Sequence, residues 1–415
     1  MHKKNRKKQK KLSAERKNKN IQKRRSQTQV DKDDGLVLSN KHLLIIFTLS
    51  KLLLIGFILF LFNYFDDLHQ FNLFHRVYSG KEVLDAWYLP FANWDGQQYL
   101  SLADYGYQNW EIGRAFFPLY PLLITAFQWI FVDFYYSALI LTIILSYGFL
   151  YFFYQYSRHY LPDRQVLIAL FLVLAYPAAF YLTVFYSEGL FLFLLFGFLY
   201  FYDVKKSYLS LIFIMLMPLA RGQAAFIMVA LSLILLIRYY KKELIDYRYE
   251  FAQFISFAMG AAAYLLFFHF TTGSMWSGFE AQKKYFSLFG NSLSNVVDIS
   301  HFLSYLFSET QAWFYRIYSV VDKIFIIANL LGVYLLFKSK NLVWIVFYLM
   351  MFYPLASMGN GGSFIRFSLI SAPFLILAWL QCYKENKKVN YSIIGLFVVI
   401  QAIFLWRFSL NLWVA

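Results

Sequence analysis

The chain has 415 residues, of which 60% are hydrophobic, 22% aromatic and only 15% charged, with a mean hydropathy of +0.49. That composition excludes a soluble domain and describes an all-α polytopic membrane protein. The net charge of +16 does not point to nucleic acid, because the basic residues concentrate in a tail of 35 residues that no aromatic interrupts to offer a stacking platform. A single cysteine, Cys382, excludes an intrachain disulfide framework and a Cys-rich metal site.

In chain order, residues 1–41 form a basic tail, expected to be disordered, cytoplasmic and attracted to anionic lipid. Residues 42–415 form one multi-pass domain. The first apolar run, His42 to Phe62, follows the long tail and lacks a small-residue cleavage site, so it reads as a crossing and not a cleaved signal. Lys51, midway along it, is expected to snorkel towards the cytoplasm. The chain then enters an external loop over 63–133. Asp66 and Asp67 sit where the first span leaves the membrane and read as an interfacial pair, with a reserve role as base. His69 and His75 read as interfacial as well.

Within that loop, Asn93 to Tyr107 (NWDGQQYLSLADYGY) and Arg114 to Leu123 (RAFFPLYPLL) place acids, amides and aromatics where a plain connector needs none. Asp95 stands between Trp94 and Gly96, a junction that permits close approach. A partly desolvated carboxylate there suits a general base acting on an attacking hydroxyl. An N-cap on the following helix suits the same residue equally well. Asp104 reads as structural, at a helix exit into Gly106. Trp94, Gln97, Tyr99 and Trp110 are candidates for sugar or acceptor contact, against the commoner role of such aromatics in an interfacial belt.

Phe116 to Val132 is apolar but contains Pro118 and Pro121. If it crossed, Arg158, Arg164, Lys205, Lys206, Lys241, Lys242, Lys338, Lys340, Lys384, Lys387 and Lys388 would all face outside. As an interfacial element it leaves every one of them inside, as short basic loops prefer. Crossings are then expected over about 43–62, 134–156, 165–185, 189–204, 208–221, 223–239, 251–271, 318–337, 342–357, 365–382 and 391–410, about eleven in all, with breaks or tilts near Pro177 and Pro218. This topology sorts Asp95, Ser187 with Glu188, Arg221 to Gln223, the segment 272–317 and Gly359 to Arg366 onto one outer face.

Glu188, in FYSEGLF, precedes an apolar span, where burial requires a partner or a cavity, although helix-dipole stabilisation explains an acid there too. Arg221, in MPLARGQAAF, must find an anion: an ion pair with Glu188 is one reading, a bidentate hold on phosphate the other. Arg366, in GGSFIRFSLISAP, follows a glycine-rich external turn with the same logic. Arg114 is a third candidate for phosphate.

The ordered motifs WDGQQYLSLADYGY with AFFPLYPLL, then AYPAAFYLTVFYSEGLF, ARGQ and GSFIRF resemble those of the PIG-V family, the second mannosyltransferase of GPI-anchor assembly and its prokaryotic relatives within the GT-C superfamily. The resemblance covers roughly Leu43 to Leu380. It implies a GT-C-type bundle with the catalytic acid in the first external loop, a polyprenyl-phosphate sugar donor, and transfer with inversion. Asp95 matches the family's presumed base, Glu188 the acid of its YSE motif, Arg221 the arginine of its RSNG-like motif, and Arg366 an arginine near the last spans. Here RGQ stands where the family has RSNG, so the family's Asn has no counterpart, and Gln223 is a candidate acceptor or sugar contact. The basic tail and lone cysteine fit a bacterial relative, with a lipid- or glycan-linked acceptor at the cell surface.

The expectation is therefore a membrane glycosyltransferase, mannosyltransferase-like, in the plasma membrane, with a cytoplasmic N-terminus and an extracytoplasmic site. No cofactor is expected, and metal independence follows from a phosphate leaving group that arginines alone stabilise. Rival readings are a lipid-linked glycan flippase or transporter, or a surface-glycan polymerase or ligase.

Overall fold

The computed structural model describes residues 39–64, 87–131, 133–204, 207–286, 299–309, 319–357, 364–383, 386–410, 412 and 414. The tail 1–38, Asp66, Asp67, His69, His75, Lys205, Lys206, Lys384, the parts 287–298 and 310–317 of the segment 272–317, and Gly359 to Gly362 lie outside the described residues. Every regular element among the described residues is helical.

Helices α1 (Asn40–Tyr64), α2 (Asp95–Tyr105), α3 (Leu119–Phe131), α4 (Phe134–Ser157), α5 (Asp163–Ala175), α6 (Glu188–Asp203), α7 (Ser207–Ala220) and α8 (Ala224–Tyr240) make up the first half. Then come α9 (Tyr247–Thr272), α10 (Ser277–Ala281), α11 (Ile299–Phe307), α12 (Val320–Ser339), α13 (Leu342–Ser357), α14 (Phe364–Cys382) and α15 (Lys387–Ser409). Six of them, α1, α4, α9, α12, α14 and α15, are long and apolar enough to cross a membrane by length and composition. The molecule is a helical membrane protein. Helix α3 has 13 residues, about 20 Å, short of a hydrocarbon core of about 30 Å.

The interior is built around α14 and α6. Most of α14 is buried, whereas α1, α9 and α15 are largely exposed and form the periphery. Helix α6 packs between α4 and α7, and α14 between α12 and α13. The close contact of α7 with α9 rests on Gly260, where a Cβ would stand 1.8 Å from the Met215 carbonyl oxygen. Pro177 breaks the expected crossing over 165–185: α5 ends at Ala175, and the chain continues as a 3-10 turn over Ala179–Leu182. Pro218 sits in the last turn of α7, where the helix ends at Ala220. Gln282 Nε2 donates to the Ala115 carbonyl at 2.9 Å. Lys284 Nζ reaches Glu111 Oε1 at 2.8 Å, and that hydrogen bond, with a second from Tyr285, holds the exposed Glu111 carboxyl below its usual range.

Candidate active site

The residues before α2 are fixed by the core. Asn93 is fully buried, its Nδ2 donates to the Phe408 carbonyl at 2.7 Å, and its own carbonyl accepts from Tyr186 Oη at 2.8 Å. The Phe185 amide donates to the Phe91 carbonyl at 3.0 Å, which ties this loop to the one that carries Glu188. Trp94 then adopts φ 54°, ψ −118°, a left-handed conformation that a tryptophan takes only when its surroundings impose it. Gly96 lies so close to the same two strands of loop that a Cβ would meet the Phe91 oxygen at 3.2 Å and the Phe185 oxygen at 3.5 Å. Between them, Asp95 is the first residue of α2, and the N-cap position falls on Trp94.

Its partner comes from the far end of the chain. Asp95 Oδ2 accepts from Arg366 Nη1 at 2.5 Å, and Arg366 Nε donates to Glu188 Oε1. The same Glu188 oxygen accepts from Arg221 Nη1 at 2.7 Å. Arg221 also donates through Nη1 to Ser187 Oγ and through Nε to Gln223 Oε1, each at 3.1 Å. The result is a chain of alternating charge, Asp95, Arg366, Glu188, Arg221, with zero net charge.

The ion pair of Glu188 with Arg221 exists and is part of a larger cluster. The helix N-termini of α2, α6, α8 and α14 all lie at this cluster, so their dipoles favour the two acids and add to the attraction for any anion. Exposure divides the four. The side chain of Asp95 is 30% exposed, whereas Arg366 is 8%, Arg221 7% and Glu188 0% exposed. Asp95 is thus the face the cluster presents to an incoming molecule. Glu188 Oε2 is buried without a hydrogen-bond partner.

Aromatic rings wall the arginines. The Arg366 guanidinium stands 4.5 Å from the Tyr186 ring centroid and 5.5 Å from that of Tyr181, and Arg221 stands 5.5 Å from Phe367. The role of Tyr99 is corrected: its side chain is buried and its ring meets Phe116, Tyr120 and Tyr186 edge-on, so no face is open to stack on a sugar. Its hydroxyl shares a 2.7 Å hydrogen bond with Ser187 Oγ, and burial pushes its pKa up to about 12, so the phenol is neutral. Trp110 is buried too.

Arg114 is not brought to the cluster. Its Nε and Nη2 donate to the carbonyls of Tyr107 and Gln108 at 3.2 and 2.6 Å, closing its own loop. Trp94 and Gln97 flank Asp95 and are half-buried, whereas Gln223 is held by Arg221. Lys51 does not snorkel. It is buried, with Nζ donating to the Leu182 carbonyl at 2.7 Å and to Thr183 Oγ1 at 3.0 Å. It faces the bundle where the 3-10 turn leaves carbonyls outside a regular helix, so acceptors lie nearer than the interface. Sequence reasoning missed Tyr186 as a wall of the site, although it belongs to the FYSEGLF motif.

Among the described residues, no group of three His, Cys, Asp or Glu side chains comes together to hold a metal ion.

No protein-family model matches the chain, and no curated protein matches it significantly. Among solved structures, the chain is similar to the archaeal oligosaccharyltransferase AglB from Archaeoglobus fulgidus, solved in complex with an inhibitory peptide and a dolichol-phosphate. The identity is 14% and the TM-score 0.40, with 83% of this chain and 54% of that chain covered. The chain thus spans about half the length of that structure, and a likeness at this score bears on neither fold nor activity.

Proposed function

We propose that this chain is a membrane glycosyltransferase that moves a hexose, mannose or a relative of it, from a polyprenyl-phosphate-linked donor to an acceptor hydroxyl at the cell surface. The observation that supports it best is the Asp95, Arg366, Glu188, Arg221 cluster: two buried arginines beside one accessible carboxylate, set where helix N-termini meet. The motif order that resembles the PIG-V family supports the same reaction class. The eleven-crossing topology, with this end of the bundle extracytoplasmic and the enzyme in the plasma membrane, belongs to the proposal.

In this reading the donor phosphate binds Arg366 and Arg221, the residue type whose planar fork suits phosphate oxygens. Phosphate competes with carboxylate for the same N–H groups, so its arrival loosens the Asp95 to Arg366 pair. Asp95, released, accepts the proton of the acceptor hydroxyl. The hydroxyl oxygen attacks C1 of the sugar opposite the phosphate, the C1 to phosphate-oxygen bond breaks, and its electron pair leaves on the polyprenyl phosphate. The arginines neutralise that charge as it develops. Glu188 stays between the guanidiniums and holds them in register. Trp94 and Gln97 supply acceptor-side contacts, and Arg114 has no part.

The test is transfer in proteoliposomes from a panel of radiolabelled polyprenyl-phosphate hexoses to extracted membrane and cell-wall acceptors. Label appearing in an acceptor, undiminished by a chelator, is the expected result. Lipid-linked sugar that changes leaflet with no transfer from any donor would overturn the proposal in favour of transport.

A further inference from the structure

One buried acid at this end of the bundle has no role in the reaction described above. Asp322 is the third residue of α12, in the first turn that Ser319 caps by accepting from the Asp322 amide at 3.3 Å. Its side chain is fully buried, and neither carboxylate oxygen has a hydrogen-bond partner. A carboxylate placed so is unfavourable by several kcal/mol unless a donor reaches it, and among the described residues the Ile365 backbone approaches it without meeting hydrogen-bond geometry.

Its position links it to the site. Helix α12 packs along α14, and Asp322 faces the backbone of Ile365, the residue before Arg366, outside hydrogen-bond geometry. Asp322 and Arg366 also act electrostatically on one tyrosine, Tyr181, whose ring lies under the Arg366 guanidinium. Arg366, the Tyr181 ring and the Asp322 carboxylate therefore belong to one region of the bundle. A sugar phosphate carries the complement: an anion at one end, and several hydroxyl donors on an apolar-faced ring at the other.

We propose that Asp322 accepts hydrogen bonds from hydroxyls of the transferred sugar while Arg366 and Arg221 hold the phosphate, which makes Asp322 a specificity-determining residue for the donor. This rests on the glycosyltransferase reading.

The experiment measures binding of bare polyprenyl phosphate, and of the polyprenyl-phosphate hexoses, to the full-length wild type, Asp322→Asn and Asp322→Ala in detergent, together with the melting temperature of each without ligand. Wild type is expected to bind one sugar-bearing lipid at least about tenfold more tightly than the bare lipid, the scale of a hydrogen bond to a charged group. The Ala variant is expected to lose that preference yet bind the bare lipid as wild type does, with Asn in between. Both variants are expected to melt higher than wild type, because an unpartnered buried charge has gone. A sugar preference that survives in Asp322→Ala, or bare-lipid affinity that falls by the same factor as sugar-lipid affinity, overturns the assignment. Wild type that binds neither kind of lipid removes the glycosyltransferase reading and this inference with it.

Discussion

Arg366 and Asp95 stand 271 positions apart in the chain and meet at 2.5 Å, through an arginine that also holds Glu188. The arginine therefore pairs the accessible carboxylate. In the proposed reaction, a donor that takes the arginine frees Asp95, so base and leaving-group stabiliser would be coupled through one side chain.

Exchange of Arg366 tests that coupling. Lysine keeps the charge but cannot address two carboxylates and a phosphate through a planar fork. Arg366→Lys is expected to lower kcat/KM for the donor by about tenfold to a hundredfold, and Arg366→Gln by more. Donor kinetics of Arg366→Lys equal to wild type would show that the fork geometry is not used.

Glu188 is the structural centre of the cluster, because one of its oxygens serves both arginines. Glu188→Gln leaves two buried guanidiniums short of a counter-charge, and is expected to destabilise the fold by about 3–5 kcal/mol, the cost of breaking a buried pair. Thermal unfolding in detergent reads it directly. A melting temperature within a degree or two of wild type would show that Glu188 is not needed to hold the arginines.

Tyr99 yields a pH prediction. With its pKa at about 12, the phenol stays protonated through the working range and adds no limb to the activity profile. Tyr99→Phe is expected to give a pH–rate curve of the same shape between pH 6 and 9. The sign for stability follows from a folded pKa above the unfolded value of about 10. Stability is full below about pH 10 and falls as pH rises towards 12, so Tyr99→Phe should gain on wild type in that window. A new or shifted limb below pH 9 in the variant would contradict a neutral Tyr99.

Much of this site was legible in the chain because charge is rare in it. Glu188, Arg221 and Arg366 each interrupt apolar sequence, where a charge demands a reason, Asp95 stands in a loop richer in acids and amides than a connector needs, and Pro177 announced the break that the 3-10 turn over Ala179–Leu182 now occupies. What stayed hidden is pairing and facing. No local pattern says that Arg366 bridges two acids, since the contacts join residues hundreds of positions apart. Tyr99 looked like a stacking surface, because a buried tyrosine and an interfacial one have the same neighbours in sequence. Lys51 was misjudged for a related reason: which way a helix turns a lysine depends on the neighbouring helix. Asp322, one residue before Lys323 at the head of a helix, gave no local signal at all.

The packing of α7 against α9 supports a matched pair of substitutions. Gly260→Ala places a methyl 1.8 Å from the Met215 carbonyl oxygen, whereas Gly395 has nothing within 4 Å. Gly260→Ala is expected to destabilise by about 1–3 kcal/mol as the helices are forced apart, and Gly395→Ala to be neutral or slightly stabilising. Equal melting temperatures for the two variants would place the α7 to α9 contact elsewhere.

The central claim is that Asp95 is the base of a sugar transfer, and the most direct measurement compares wild type with Asp95→Asn in the proteoliposome assay, each checked for folding by its elution profile and melting temperature. The account predicts a folded Asp95→Asn protein that still binds the polyprenyl-phosphate sugar and makes at least about a hundredfold less product, the scale of a lost general base. A folded Asp95→Asn protein that transfers sugar at the wild-type rate would contradict it, and would leave Asp95 as no more than the outer partner of Arg366.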